Sequence, residues 1–221
     1  MSEQIIALVP AFNEANSIAD VVTRARPHVE KVVVIDDGST DQTAQVAEAA
    51  GATVLRHEIN RGKGAAIVTA LSFFGESGAE FAVLLDADGQ HDPAEISRFV
   101  EAERQTGAAI VVGTRMSDTR DMPLVRLLTN RFTSWVTGKL ARQRIPDSQC
   151  GYRLLRHSVL KDLQFSTARF ETETEMLIQA GRAGHKIANV PIRTIYAEGR
   201  ASRIRPLRDT VRFFKLVAKY W

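Results

Sequence analysis

The stretch "VLLDADGQHDP", residues 83–93, joins an apolar run to two aspartates, Asp86 and Asp88, and then to Gln90. Continuous apolar runs are typical of parallel strands that are covered on both faces. Ligands of open parallel sheets bind beyond the carboxyl ends of the strands. The stretch therefore predicts a buried strand whose polar tip lies at a binding edge.

Apolar runs and helical patterns alternate along the first half of the chain. We predict strands at 5–10, 31–36, 52–57, 81–86 and 108–115, with helices between them at 16–26, 41–50, 63–74 and 93–104. "STDQ" (39–42) predicts a capping box at the start of the second helix. Further strands are predicted at 151–156 and 186–196, and helices at 123–141 and near 172–183. The alternation predicts an α/β fold with a doubly wound, mostly parallel sheet.

The bulk composition fits one catalytic or binding domain. The 221 residues are 44% hydrophobic and 25% charged, as in ordinary globular proteins. Cys150 is the sole cysteine, so no internal disulfide can form and a reducing compartment is favoured. No signal peptide and no run of about 18 apolar residues is visible. We therefore expect a cytoplasmic protein with one domain at 1–205 and a helix at 206–221.

The C-terminal segment differs in charge from the rest of the chain. The net charge is +3, yet residues 200–221 carry seven basic side chains against Asp209 alone. As a helix, 206–221 would place an apolar face beside a basic stripe. Such a helix suits an anionic membrane surface, which implies a peripheral protein on the inner face of the cytoplasmic membrane. Packing of the apolar face on the body of the protein is the alternative.

The tips of the predicted strands carry converging acidic residues. Asp86 and Asp88, with the Gln90 carbonyl, supply the hard oxygen ligands that Mg²⁺ and Mn²⁺ prefer. Carboxylates that lie close together repel each other unless a cation neutralises them. A metal bound in this way usually neutralises a diphosphate. A solvated turn is the alternative interpretation of the D-x-D pattern.

Two common nucleotide motifs are missing from the sequence. "PAFNEA" follows the first strand in place of G-x-G-x-x-G, and no G-x-x-x-x-G-K-[ST] occurs. "PAFNEANS" also offers neither the glycine nor the basic residue expected of a nucleotidyltransferase loop. In "RGKGAAI" (61–67), Lys63 faces a phosphate, or the two glycines simply permit close helix packing.

Seven motifs occur in the order typical of a known family. "VPAFNEA", "VVIDDGSTDQT", "NRGKGAAI", "LLDADGQHDP", "VVGTR", "CGYR" and "VPIRTIY" resemble family-2 glycosyltransferases over roughly residues 4 to 203. The dolichyl- or polyprenyl-phosphate mannosyltransferase branch is the most similar. The resemblance implies a GT-A fold and transfer of a sugar from a nucleotide-diphosphate sugar, UDP- or GDP-linked, with inversion at the anomeric carbon.

The resemblance also implies three groups of site residues. The nucleoside pocket would be lined by Pro10, Phe12, Glu14, Ile35 and Asp37. The diphosphate and its metal would be held by Asp86, Ala87, Asp88 and Gln90. Phosphates would be contacted by Arg115 and Arg126, and by Ser202 and Arg203 in a C-terminal loop. That loop reads "GRASR" where the branch has G-x-S-K, and Phe12 replaces a more usual Tyr.

The acceptor and the general base are less defined. A hydroxyl acceptor needs a base within hydrogen-bond reach, whereas a lipid phosphate is already ionised near pH 7. Asp88, Asp147, Glu171 and Glu173 are candidate bases. We expect a polyprenyl-phosphate acceptor, which the predicted helix at 123–141 could help to bind. A hydroxyl acceptor on a glycolipid or polysaccharide, and a non-catalytic nucleotide-sugar binder, are the alternatives; no nucleic-acid partner is expected.

Overall fold

The computed structural model describes residues 4–117, 119, 122–167, 169, 171–193 and 206–221, with the side chains of the last segment from residue 210. The strands are β1 (Ile5–Ala11), β2 (Lys31–Asp36), β3 (Thr53–Arg56), β4 (Phe81–Leu84), β5 (Ile110–Thr114), β6 (Arg153–Arg156) and β7 (Ile187–Pro191). The α-helices are α1 (Ile18–Ala25), α2 (Thr43–Ala49), α3 (Lys63–Glu76), α4 (Ile96–Thr106), α5 (Leu124–Ala141), α6 (Glu171–Arg182) and α7 (Pro206–Tyr220). The predicted elements are confirmed to within a few residues; positions 194–196 of the last predicted strand lie outside the described residues.

The described strands form one sheet in the order β3-β2-β1-β4-β6-β5-β7. All neighbouring pairs are parallel except those of β6, which runs antiparallel to both β4 and β5. The mostly parallel α/β sheet is therefore confirmed. The chain moves outward from β1 to β3 and then returns to the other side of β1 as β4. This reversal opens a crevice beyond the tips of β1 and β4, where open α/β sheets bind ligands.

The sheet is buried on both faces, as its continuous apolar runs predicted. Ala7, Leu8 and Val9 of β1 have no exposed surface, although their side chains alternate between faces. Val33 and Val34 of β2 are equally buried. A rigid, doubly covered sheet of this kind fixes the positions of the polar residues that follow each strand.

A second, smaller apolar cluster joins three helices, α5, α6 and α7. Leu216 of α7 is buried against Val136 and Leu140 of α5 and Ile178 of α6. The alternative in which the terminal helix packs on the body is thus realised for one of its faces. Among the described helices, none is long and apolar enough to cross a membrane.

Candidate active site

Hydrogen bonds fasten the tips of β1 and β2 to each other. The Asn13 backbone, with φ of 52°, donates to the Ser39 hydroxyl over 2.9 Å. The predicted capping box at 39–42 is wrong, because Ser39 serves this bond and the Asp41 carboxylate accepts from the Thr43 amide over 3.0 Å. The polar residues after β2 therefore hold the two strand tips in register with each other.

Asp37 is buried and organises the loop that precedes α3. Its carboxylate accepts bonds from the backbone amides of Arg61 (2.9 Å) and Gly62 (2.7 Å) and lies 2.7 Å from Nδ1 of His57. Both carboxylate oxygens are thus used within the protein. In this structure Asp37 thereby positions the start of α3, where Lys63 is the first residue.

Lys63 is the central cation of the site. Its Nζ lies 2.7 Å from Asp86 Oδ1, beyond β4, and 3.2 Å from Glu173 Oε2, in the first turn of α6. A lysine is unfavourable at a helix N-terminus, where the macrodipole is positive. The two carboxylates compensate for this position. The ammonium therefore joins three separate elements at the strand tips.

The charges of this cluster reinforce one another. Burial opposes ionisation, but Lys63 outweighs it and lowers the pKa of Asp86 to about 2. Burial likewise opposes the charge on Lys63, yet Asp86 and Glu173 raise the pKa of Lys63 above its ordinary value. Burial lowers the pKa of His91, whose ring stacks on Tyr152 with centroids 5.1 Å apart. The site near neutral pH thus holds ionised Asp86, charged Lys63 and neutral His91.

Gly151 makes room for Asp86. A Cβ atom at this position would lie 2.7 Å from Asp86 Oδ2, closer than side chains tolerate. The "CGYR" motif therefore places a bare backbone against the carboxylate. Any larger residue at 151 would displace Asp86 from its present position.

The donor set beyond β4 fits a hard divalent cation that shares its coordination with a ligand. Asp86 and Asp88 are half-buried. The backbone N–H of Gln90 donates to Asp88 Oδ1 over 3.0 Å, which shapes the turn. Among the described residues, no three His, Cys, Asp or Glu side chains converge as a metal cluster. Mg²⁺ is commonly held by one or two carboxylates plus phosphate oxygens and water, which is the coordination this site could offer.

Arg115 and Asp147 form a buried pair beside β5. Arg115 Nε and Nη2 lie 2.8 and 2.9 Å from the two Asp147 oxygens, and Asn130 of α5 donates to the same carboxylate over 2.8 Å. Burial favours the neutral acid, but Arg115 outweighs it and lowers the pKa of Asp147. The guanidinium fork is thus directed at Asp147, which holds Arg115 in place.

The other predicted site residues lie at different depths. Ser17 links two strand tips, because its hydroxyl is 2.9 Å from Glu14 Oε2 and 2.8 Å from the Ala87 carbonyl. Ile35 is fully buried and supports the crevice from below. The remaining residues are partly buried at the tip of β1 (Pro10 and Phe12), exposed in the first turn of α5 (Arg126), or outside the described residues (Ser202 and Arg203).

The sequence pointed only weakly to two features of this site. Lys63 was left between phosphate contact and helix packing, and its unfavourable position at a helix start was the available signal. Gly151 belongs to the "CGYR" motif, but its role beside Asp86 was not predicted, since that role depends on the antiparallel return of β6 beside β4.

The fold is that of GT-A glycosyltransferases. Glucosyl-3-phosphoglycerate synthase from Mycobacterium tuberculosis, solved with Mn²⁺, uridine-diphosphate-glucose and phosphoglyceric acid, superposes with a TM-score of 0.73 at 21% identity. The match covers 99% of this chain and 80% of that one. This similarity concerns the fold within which the crevice beyond β1 and β4 lies.

The sequence comparisons define the family. The model for Glycosyl transferase family 2 matches residues 6–164, so the chain belongs to this family and is a glycosyltransferase. It is 33% identical to the UDP-N-acetylglucosamine--dolichyl-phosphate N-acetylglucosaminyltransferase of Methanococcus voltae, covering 90% of this chain and 88% of that protein. It is 28% identical to the undecaprenyl-phosphate mannosyltransferase of Micrococcus luteus, covering 88% and 85%. The suspected polyprenyl-phosphate branch is consistent with these relatives.

Proposed function

We propose that this enzyme transfers a sugar from a UDP- or GDP-linked donor to a polyprenyl phosphate, with a divalent metal and inversion at the anomeric carbon. The names of the two relatives, which act on dolichyl phosphate and undecaprenyl phosphate, support this acceptor class. The observation that carries the proposal is the pairing of the buried candidate bases, Asp147 and Glu173, with cations.

The donor half of the reaction would use the tips of β1, β2 and β4. Asp86, Asp88 and Gln90 would hold Mg²⁺ or Mn²⁺, which when bound would neutralise the charge that builds on the departing diphosphate. The nucleoside would lie beside Pro10, Phe12 and Glu14, over Ile35 and near the loop that Asp37 holds. Ala87 would contribute backbone, and Arg115, Arg126, Ser202 and Arg203 would contact phosphates.

The acceptor half favours a nucleophile that is already ionised. Asp147 accepts three bonds from Arg115, one from its backbone amide and two from its guanidinium, and one from Asn130. The pKa of Asp147 is lowered, which makes it a weak base. Glu173 is engaged by Lys63. A phosphate monoester carries its own negative charge near pH 7 and needs no proton removed before it attacks.

Transfer to a hydroxyl acceptor is the second candidate. Asp88 is half-buried at the tip of the site and, unlike Asp147 and Glu173, has no cation paired with it among the described contacts. If Asp88 acted as base, replacing it would abolish transfer and spare nucleotide binding. Under the leading proposal, replacing Asp88 weakens metal-dependent nucleotide binding as well.

We place the catalytic domain at 1–205 on the inner face of the cytoplasmic membrane as a peripheral protein. The helix at 206–221 would contribute to this contact through its basic residues, such as Lys215, which is exposed. This location would bring the site close to a lipid-linked acceptor.

A transfer assay tests the proposed function. The enzyme is incubated with Mn²⁺ or Mg²⁺, each of UDP- and GDP-linked sugars, and either a short polyprenyl phosphate or the corresponding polyprenol. The expected product is a polyprenyl phosphosugar whose anomeric configuration, read by NMR coupling, is opposite to that of the donor. Transfer to the polyprenol alone would overturn the phosphate acceptor and favour the hydroxyl reaction.

A further inference from the structure

The amphipathic pattern of α5 is partly inverted, although its inner face also buries the apolar Val136 and Leu140. Its inner face carries buried polar residues, Asn130, Ser134 and Thr137, which lie over the candidate site. Its outer face carries large apolar side chains, and Phe132 and Trp135 are 48% and 60% exposed. A surface helix normally presents the opposite arrangement to water. The outer face of α5 is therefore suited to an apolar environment.

The exposed apolar side chains of α5 continue onto α7. Phe132 of α5 and Phe214 of α7 have ring centroids 6.5 Å apart. The residues that form this outer α5–α7 surface are Leu124, Val125, Leu128, Phe132, Trp135, Val211, Phe214 and Trp221. Isolated exposed apolar residues are common, but a contiguous set indicates an interaction site.

Exposed basic residues lie on the same two helices. Arg126, Arg131 and Lys139 on α5 and Lys215 on α7 are exposed, and neither 124–141 nor 210–221 contains an acidic residue. We infer that the outer α5–α7 surface docks on an anionic lipid bilayer, with α5 as its larger part. This inference rests on the proposed function and deepens it, since from the sequence we expected membrane contact by the C-terminal helix and only acceptor binding by 123–141.

The charge pattern argues against a second copy of the chain as the occupant. A symmetric dimer through the outer α5–α7 surface would bring like-charged side chains together, which is unfavourable at an interface. An anionic bilayer instead complements the exposed basic side chains of the two helices and accepts their apolar side chains, with aromatic residues at the level of the headgroups.

The same helix connects the bilayer to the reaction. On the inner face of α5, Asn130 donates to Asp147, which holds Arg115. On α7, Lys219 and Tyr220 bond to the buried carboxylate of Glu175, so α7 is fixed to the body and not loosely attached. Docking would therefore orient a rigid site toward lipid headgroups.

The positions of the two tryptophans provide a direct test. The chain has two, Trp135 and Trp221, and both lie on the outer α5–α7 surface. In a Trp221→Phe variant, Trp135 alone reports on α5. We expect its emission to shift to the blue with phosphatidylcholine vesicles that contain phosphatidylglycerol, and to be quenched by brominated lipid tails. Pure phosphatidylcholine should give a much smaller effect, and added salt should weaken binding.

Vesicle co-sedimentation tests the contribution of α5. Phe132→Ser with Trp135→Ser should weaken binding to the anionic vesicles at least about tenfold, given the apolar surface removed. Ile59→Ser is the matched control, since Ile59 is 72% exposed but lies outside this surface, and it should bind as the wild type does. Circular dichroism and thermal unfolding would verify that each variant is folded.

Three results would overturn the inference: unchanged Trp135 emission, equal binding by the double variant, or a dimer that the double variant abolishes while the wild type ignores vesicles. None of these measurements needs nucleotide or acceptor. Transfer by the same double variant to a water-soluble, short-chain acceptor is assayed in parallel, so a failed docking surface is distinguishable from a failed glycosyltransferase assignment.

Discussion

Glu173 and Glu175 lie two residues apart on α6, and each is buried beside a lysine. Glu173 contacts Lys63 at the strand tips over 3.2 Å, whereas Glu175 contacts Lys219 of α7 over 2.9 Å. Residues two apart project from different sides of a helix, so one turn of α6 supports both the candidate site and the outer helix.

The partners of the two carboxylates differ in kind. Glu175 accepts further bonds from the hydroxyls of Ser166, Thr167 and Tyr220, all supplied by the protein. The Lys63 contact at Glu173 is shared with Asp86, a candidate metal ligand, so a bound metal and diphosphate would compete for its partners. Two similar ion pairs on one turn of α6 would thus differ in role: the Glu173 pair would be open to exchange, whereas the Glu175 pair attaches α7.

Substitutions around the Glu173–Lys63 pair should have the larger effect on function. Asp86→Ala removes a metal ligand and the closest partner of Lys63. We expect the metal-dependent rise in melting temperature with the preferred nucleotide diphosphate to disappear, and transfer to fall at least about 100-fold. Thermal unfolding with and without Mn²⁺ and a product assay measure both effects.

Asp162→Asn is the control for this change. Asp162 is partly exposed and pairs with His185 over 2.7 Å, away from the strand tips. This variant should keep the metal-dependent rise. Persistence of the rise in Asp86→Ala would show that the diphosphate site lies elsewhere.

Substitutions around the Glu175–Lys219 pair should have the larger effect on stability. Glu175→Ala leaves three hydroxyl groups without their shared acceptor, whereas Lys219 is exposed and can be solvated. Since each lost hydrogen bond costs about 1 kcal/mol, the free energy of unfolding should fall by about 2–3 kcal/mol. Urea unfolding at neutral pH measures the change, and nucleotide affinity should stay within about twofold because the site end is intact.

Lys215→Ala provides the reference on the same helix. Lys215 is exposed, so its replacement should change the unfolding free energy by less than about 0.5 kcal/mol. If Glu175→Ala were equally mild, α7 would not be held by this carboxylate.

Most of the fold followed from local pattern. The apolar runs of β1, β2 and β5 and the helical periodicity of α1 and α5 are set by neighbouring residues, so their bounds were predictable to within a few positions. The antiparallel β6 was not predicted in its place between β4 and β5. Its pairing depends on contacts distant in sequence, and a short apolar run carries no information on direction.

The position of the site was predictable from the sequence, but the ion pairs between its residues were not. The carboxylates beyond β4 were found because they follow a buried strand. That Asp147 would hold Arg115, and Glu173 would meet Lys63, depends on how α5 and α6 cross the sheet edge. Sequence identified the charged residues, and only packing decides which charges neutralise each other.

Replacing Lys63 tests whether the ion pair at Glu173 differs in role from the ion pair at Glu175. Lys63→Met leaves Asp86 and Glu173 without their shared ammonium, so Mn²⁺ should bind the nucleotide-free protein about tenfold more tightly, as a nearby like charge is removed. Manganese binding followed by electron paramagnetic resonance measures this affinity. Lys219→Met, which removes the lysine paired with Glu175, should leave the Mn²⁺ affinity unchanged. Weaker Mn²⁺ binding by Lys63→Met would show that Lys63 supports the metal site instead of competing with the metal.

The smallest expected effect is a difference in acid sensitivity. Burial opposes ionisation of Glu175, but bonds from Lys219, Ser166 and Thr167 outweigh it and lower its pKa from 4.5 to about 2. Because the folded-state pKa is depressed, this carboxylate stabilises the protein fully above about pH 5, and the contribution is lost as the pH falls toward 2.

Glu175→Gln isolates this contribution, since glutamine cannot titrate. The free energies of unfolding of wild type and variant are measured in urea at pH 6 and pH 3. The amount by which the wild type is the more stable should be about 1–2 kcal/mol smaller at pH 3 than at pH 6. Asp86 also has a pKa near 2, but it titrates in both proteins and cancels in the comparison. A difference that stays constant between the two pH values would mean that Glu175 is not held ionised by α7, and that apolar packing around Leu216 attaches the helix.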